Sequence, residues 1–194
     1  MRHNDGVPPL PPLIPTVTTA RLVLRPFAPI DAADVVALAN DAEVARYLLH
    51  VPHPYPAELA PGWIATHAET WLSGNGPTWA ITRRDDGRLA GTVSLRWNAR
   101  HAHAELGYWL GRAHWGHGFG TEAARAAVAW AFAHLDVVRV HASCLDGNER
   151  SARVLRAIGM RYEGTRRRHL RKGGVFHDVH LYARLRDDPP AAPG

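Results

Sequence analysis

The sequence predicts a single domain of the α/β (α+β) class, and three observations carry that prediction. Segments of strand character and segments of helical character alternate along the chain. Three strand-like runs follow one another around short turns between Thr78 and Gly111, which argues against a purely doubly wound parallel sheet. The chain's 194 residues, 46% hydrophobic and 21% charged, suffice for one sizeable core and are ordinary for a globular protein.

The elements follow in order. Residues 1–16 carry five prolines, at 8, 9, 11, 12 and 15, and read as an extended arm outside the core. Residues 17–186 are the predicted domain, and 187–194, "DDPPAAPG", read as a flexible tail. "RLVLRPF" (Arg21–Phe27) alternates as a strand does. "IDAADVVALAN" follows as a helix, with Asp31 as N-cap and Asp34 placed favourably for the helix dipole. Residues 57–73 form a second helical region. "TWAITRR" and "LAGTVSLRWN" make a hairpin around the Asp86-Gly87 turn signal. "AELGYWLG" (Ala104–Gly111) is a strand, and a glycine-rich turn then leads into a helix from Thr121 to about His134. "VVRVHASCL" is a strand, "NERSARVLRAI" a helix stopped by Gly159. Residues 160–185 give two strands around Gly173-Gly174, with the basic run Arg166–Lys172 placed at an exposed turn between them. The order β-α-α-β-β-β-α-β-α-β-β amounts to seven strands and four helices.

Composition bounds the function. A net charge of +5 suggests an anionic partner: nucleic acid, a phosphorylated cofactor or an acidic protein. No apolar run approaches the ~20 residues of a membrane span. The N-terminus lacks a signal-type apolar segment, so a cytoplasmic location is the default expectation. A lone cysteine, Cys144, excludes an internal disulfide and a cysteine metal cluster, and reads as a small buried apolar residue. His101-x-His103 and His177-x-x-His180 are the only notable pairs among 13 histidines. Neither brings a third ligand at a set spacing, so no metal is expected.

"HWGHGFGTEAARAAVAWAF" (His114–Phe132) is the most informative stretch. Three glycines, Gly116, Gly118 and Gly120, join a strand directly to a helix start. The first-turn amides of a helix lack internal partners, and the dipole adds partial positive charge there. Glycine lets a phosphate approach that backbone closely. A P-loop would need a Gly-Lys-Ser/Thr step, which is absent. A dinucleotide fingerprint would need G-x-G-x-x-G near the first strand, and this turn is G-x-G-x-G in mid-chain.

This block, "GYWLGRAHWGHGFGTEA" (Gly107–Ala123), resembles the acetyl-CoA signature of the GNAT acyltransferase superfamily. Trp115 stands where most members have Gln or Arg, as in the branch that acetylates ribosomal-protein N-termini, the Rim-type enzymes. "NERSARVLRAIGM" (Asn148–Met160) and "TARLVLRPF" (Thr19–Phe27) resemble two further blocks of that branch. The resemblance covers roughly Thr19 to Leu185. It implies a single GNAT-type domain with a mixed, mostly antiparallel twisted sheet of about seven strands flanked by about four helices. The implied reaction is direct transfer of an acetyl group from acetyl-CoA, as co-substrate, to an amine.

The resemblance also assigns residues. Tyr108, Trp109 and Leu110 would line the pantetheine arm, with the backbone of Trp115, Gly116, His117, Gly118, Phe119, Gly120 and Thr121 around the pyrophosphate. Asn148 would bond the arm or serve as a helix N-cap. Glu105, two residues before Gly107 on the same strand face, is the candidate base, or else a cross-strand partner of Arg96. Glu122 suits the helix dipole. Where many superfamily members carry a tyrosine thiolate donor this chain has Leu155, so Ser151 is the substitute donor. Arg125, Arg153 and Arg156 are either phosphate contacts or solvated charges. Tyr47, Tyr55, Trp63 and Trp71 are either acceptor pocket or core. A protein N-terminal α-amine is the favoured acceptor. Small amines, antibiotics, a succinyl donor and a homodimer stay open, as do two non-catalytic readings: an acyl-CoA binder and a nucleic-acid module using the basic run.

Overall fold

The computed structural model describes residues 11, 13–49 and 51–189. Its elements are β1 (Val17–Thr18), β2 (Leu22–Arg25), α1 (Ala32–Ala39), α2 (Ala42–Ala45), α3 (Leu59–Leu72), β3 (Thr78–Arg83), β4 (Leu89–Asn98), β5 (His103–Leu110), α4 (Phe119–His134), β6 (Arg139–Leu145), α5 (Glu149–Ala157), β7 (Arg161–Lys172) and β8 (Val175–Leu185). They form one sheet in the order β1-β2-β3-β4-β5-β6-β8-β7. Every neighbouring pair is antiparallel except β5–β6. The eighth strand, β1, has two residues and α2 has four, too few to leave a periodic signal.

Helices cover both faces of the sheet. α4 presents Ala123, Ala124, Ala127 and Ala131 to the sheet, small enough for close approach, and shares one buried cluster with Leu24, Ile81, Val93, Leu95, Ala104 and Leu106. On the opposite face, Val35 and Ala39 of α1 and Ala60 and Ile64 of α3 pack with Ala80 and Leu89. Alternation along β5 therefore sends Ala104, Leu106, Tyr108 and Leu110 toward α4. Glu105, Gly107 and Trp109 face the other way.

Several expectations are corrected. Asp31 holds the N-cap position of α1, as expected, but its side chain makes no capping hydrogen bond there. It ends a 3-10 turn, Pro29–Asp31, and its carboxylate accepts two bonds from Arg25 (2.7 and 2.8 Å) and one from the Ala28 amide. Burial pushes the Asp31 carboxyl up, but these donors outweigh it and hold it below the usual range. The described part of the proline-rich arm lies on the core: Ile14 is buried, and Trp71 and Trp79 donate their indole N–H groups to Pro11 O (2.8 Å) and Pro15 O (2.6 Å). Residues 1–10 and 12 lie outside the described residues. The start of the tail is tied down, since Asp188 pairs with Arg161 at 3.1 Å; residues 190–194 lie outside the described residues. The basic run is not a turn. It is the bulged second half of β7, with the register shifting between Arg166 and Leu170, and Gly173-Gly174 make the turn. Of the four aromatic residues, Tyr55 and Trp71 are buried in separate core clusters, Trp63 packs against that of Tyr55, and Tyr47 faces a cleft.

Candidate active site

The cleft begins where the sheet splits. β5 and β6 pair only from His103↔Arg139 to Glu105↔His141. Beyond that point β6 stays with β8, while β5 stays with β4 as far as Leu110↔Gly91. The two strands therefore diverge, and Leu106–Leu110 face a gap in place of a partner strand. The cleft that fills the gap has a volume of about 480 Å³.

The start of α4 closes one end of it. Gly118 is the helix N-cap at φ 78°, and Gly116 lies at φ 79°, both in the left-handed region that favours glycine. Gly120 differs: it is helical and buried, and a Cβ there would make only ordinary contact with Leu110 and Val154. Glu122 N–H, bonded to Gly118 O at 3.0 Å, is the first helix amide with a backbone acceptor. Phe119, Gly120 and Thr121 N–H groups thus point out of the helix end, an arrangement suited to phosphate oxygens. The helix starts at Phe119, two residues earlier than the sequence suggested.

Glu122 does more than offset the dipole. Its carboxylate accepts from Thr19 Oγ1 (2.6 Å), the Arg21 amide (2.8 Å) and Arg21 Nε (2.7 Å). Arg21 also donates to His117 O at 2.9 Å. Burial raises the Glu122 carboxyl, and the Thr19 and Arg21 donors more than reverse that, leaving it below its ordinary range. The Thr19-x-Arg21 pattern and Glu122 are thus two halves of one contact, which fixes the glycine turn to the first strands.

The opposite wall is α5. Asn148 is its N-cap, accepting from the Ser151 amide at 3.2 Å, and also faces the cleft. Tyr108 Oη lies 2.9 Å from Ser151 Oγ and 3.3 Å from Ser151 O. Burial pushes the Tyr108 phenol well above its ordinary pKa, only partly opposed by Ser151, so it stays protonated and can donate. Leu155 is fully buried in the core. Cys144 borders the cleft, but burial pushes its thiol up to about 11, so it carries little thiolate at neutral pH.

Most residues singled out in the sequence converge here. Tyr108, Trp109, Leu110, Trp115, Gly116, Gly118, Phe119, Gly120, Thr121, Asn148 and Ser151 all line the cleft. His117 and Glu105 do not: His117 is exposed and stacks on Phe119, and Glu105 sits at the root of the split, opposite Arg96 and His141. Arg153 lines the cleft, whereas Arg125 bonds Ala157 O and Arg156 bonds Tyr182 Oη. Arg150 escaped notice in the sequence; its guanidinium lies 4.3 Å from the Trp115 ring centre and lines the cleft. Also missed were Leu48 and Leu49 after α2, and Leu170 and Val179 of the last hairpin, which form the far wall. Among the described residues, no group of three or more His, Cys, Asp and Glu side chains could hold a metal ion. No described helix is long and apolar enough to cross a membrane.

Comparison with known proteins agrees with this geometry. Residues 21–161 match the acetyltransferase (GNAT) domain family. The uncharacterized N-acetyltransferase YoaA of Bacillus subtilis (strain 168) is 32% identical over 172 residues, covering 88% of this chain and 97% of its own. Two solved structures share the fold. The ribosomal-protein-S5-alanine acetyltransferase of Vibrio fischeri superposes with a TM-score of 0.79 at 21% identity, over 93% of this chain and 100% of its own. RimL, a ribosomal L7/L12 α-N-protein acetyltransferase in complex with coenzyme A, superposes with a TM-score of 0.80 at 21% identity, over 88% and 98%. A helix start with bare amides at one end of a split sheet, together with these matches, makes the chain a member of the GNAT acetyltransferase family and an acetyl-CoA-dependent N-acetyltransferase.

Proposed function

We propose that this enzyme acetylates the N-terminal α-amine of a protein, with Glu105 as base and the Tyr108–Ser151 pair as proton donor. The observation that carries the reading is the hydroxyl pair at the split, between a helix end suited to a diphosphate and a strand edge suited to a pantetheine amide arm.

The donor is held by backbone. The bare amides of Phe119–Thr121 take the diphosphate, with Arg150 and Arg153 at the rim. Residues 106–110 of β5 offer the unpaired strand edge to the arm, as an added strand would be held. The amine must be neutral to attack the thioester carbonyl, and Glu105, at the root of the split just outside the cleft lining, takes its proton through one intervening water. The departing thiolate needs a proton in return. Ser151 Oγ supplies it, refilled from the Tyr108 phenol that burial keeps protonated, and the second proton leaving the acceptor nitrogen as the adduct collapses restores that phenol. Tyrosine thus enters the site from β5, where the sequence pattern had offered only Leu155 on α5.

Two things support a protein acceptor. The far wall, Tyr47–Leu49 and Leu170, is built from surface segments and leaves the cleft open to a chain end. Of the fold neighbours named above, one is a ribosomal L7/L12 α-N-protein acetyltransferase and the other a ribosomal-protein-S5-alanine acetyltransferase. Coenzyme A release should be followed with short peptides that begin with serine, alanine or other residues, beside spermidine, an aminoglycoside and succinyl-CoA. Peptide turnover that depends on the first residue is expected. Turnover confined to the small amines would overturn the protein-acceptor reading.

A further inference from the structure

We propose that His141 and His103 relay the acceptor's proton from Glu105 to solvent. The inference rests on Glu105 being the base. Acetyl thioester and ammonium yield amide, thiol and one proton, so that base must be emptied in every turnover.

The sheet places the parts in line. Glu105 of β5 lies opposite Arg96 of β4 and His141 of β6, at the last pair before the strands diverge. His141 Nε2 sits 3.2 Å from His103 Nδ1, with ring centres 5.0 Å apart at 60°. His103 in turn stacks on His101, centres 6.2 Å apart at 10°. His141 and His103 are half-buried and His101 is exposed. A row of imidazoles therefore leads from the neighbour of the base to open water.

The surrounding charges suit proton passage. His141 feels His103 and Glu105 from β5, Arg139 from its own strand and Glu163 from β7; its β8 partner, Ala183, is uncharged. Glu163 binds both terminal nitrogens of Arg139 and so offsets that cation. Burial lowers the His141 pKa, with Glu105 opposing, so the ring is neutral near pH 7. A neutral imidazole accepts a proton on one nitrogen and donates from the other.

In each turnover the acceptor nitrogen loses a proton, through one water, to the Glu105 carboxylate, which passes it to His141 Nδ1. His141 releases its Nε2 proton to His103 Nδ1, and His103 releases its own Nε2 proton to water. Glu105 is again a carboxylate. Both rings are left in the opposite tautomer and reset by exchange with solvent.

Two measurements on the full chain test this. In NMR of nitrogen-labelled histidine, the relay requires coupled titration of His141 and His103, and a shifted His141 titration in His103→Asn. Independent titration overturns it. In turnover with peptides beginning with serine or alanine, His141→Asn and His103→Asn should each lower kcat about tenfold or more, with KM for acetyl-CoA nearly unchanged. Added imidazole buffer should restore the rate, which a merely structural defect would not allow. Full turnover in Glu105→Gln means the base reading itself fails. A crippled Glu105→Gln beside histidine variants that run at full rate, or that imidazole does not rescue, sinks the relay alone.

Discussion

The two walls of the cleft are built in opposite ways. The proposed donor wall takes in Tyr108–Leu110, His114–Gly116 and Gly118–Thr121, and resumes at Asn148. It works mainly through main-chain groups: a strand edge, bare amides and two left-handed glycines. The acceptor wall joins the segment after α2 to a hairpin more than a hundred residues away. Lys172 Nζ donates to Ala45 O and Leu48 O, and Tyr47 Oη donates to Gly147 O at 3.1 Å. A diphosphate and an amide arm look the same in every enzyme that uses this donor, so backbone can bind them and local sequence must provide the turn. Acceptors differ, so side chains from distant segments make that wall, and no short pattern encodes it.

Breaking the donor wall should cost most. Gly116→Asp has room for its Cβ, since nothing lies within 4 Å, whereas Gly118 faces Arg21 Nη2 at 3.2 Å and an aspartate there would be neutralised. The left-handed φ at Gly116 costs roughly 1 kcal/mol for a residue with a Cβ, which a folded domain tolerates. The added carboxylate repels the diphosphate. Calorimetry should show coenzyme A affinity falling about a hundredfold, or roughly 3 kcal/mol, with the melting curve little changed. Gly116→Asn, with the same shape and no charge, should lose far less. Equal losses in both would mean that geometry, not charge, holds the phosphates.

Removing the proton donor should cost less. Tyr108→Phe and Ser151→Ala should each lower kcat by about tenfold or more, with coenzyme A affinity retained. Because the two hydroxyls act in series, the double variant should be hardly slower than the worse single one. Multiplying losses in the double variant would show that they act separately.

A smaller effect is expected at the acceptor wall. Lys172 is the only lysine among 23 basic residues, and burial pulls its pKa below the ordinary range. Lys172→Met keeps the aliphatic stem but frees the hairpin from α2. The acceptor KM should rise by a few-fold while coenzyme A affinity stays put, because Leu48 and Leu170 lie in neither the β5 edge nor the α4 start proposed to hold coenzyme A. A change in coenzyme A affinity instead would mean that the walls are coupled.

The same contrast explains what the sequence revealed. The element order, the glycine turn and the Asn148–Ser151 block were legible, because each is a local pattern with a local cause. Asp31 was placed rightly at the N-cap but not in its bonding, because the guanidinium that claims its carboxylate comes from β2. The arm misled because proline runs read as solvent-exposed, and the two indole donors that hold it lie on α3 and β3. Tyr108 was read as a strand residue beside the arm. Only the turn of α5 across the gap shows its phenol bonded to Ser151, 43 residues away.

The α1–α3 face carries one more difference, smallest at neutral pH and growing with acidity. His67 of α3 is 6% exposed, wedged against Phe27 and Trp63, and neither ring nitrogen has a hydrogen-bond partner among the described residues. Burial pushes its pKa down to about 4 from 6.5. Above pH 6.5 the ring is neutral in both folded and unfolded chains and its titration contributes nothing. Between pH 6.5 and 4 the unfolded chain takes up a proton that the folded one refuses, so stability falls as the pH drops. The slope approaches 1.4 kcal/mol per pH unit, up to a total of about 3 kcal/mol. His67→Leu removes both orphaned nitrogens and that proton. It should be at least as stable as the parent at pH 7.5, and more stable by about 2 kcal/mol at pH 5. Urea midpoints of both proteins at the two pH values measure this, and the difference between them cancels every other titrating group. Parallel curves would mean that water reaches His67, and that the α1–α3 face is as insensitive to acid as the alanine-packed α4 face.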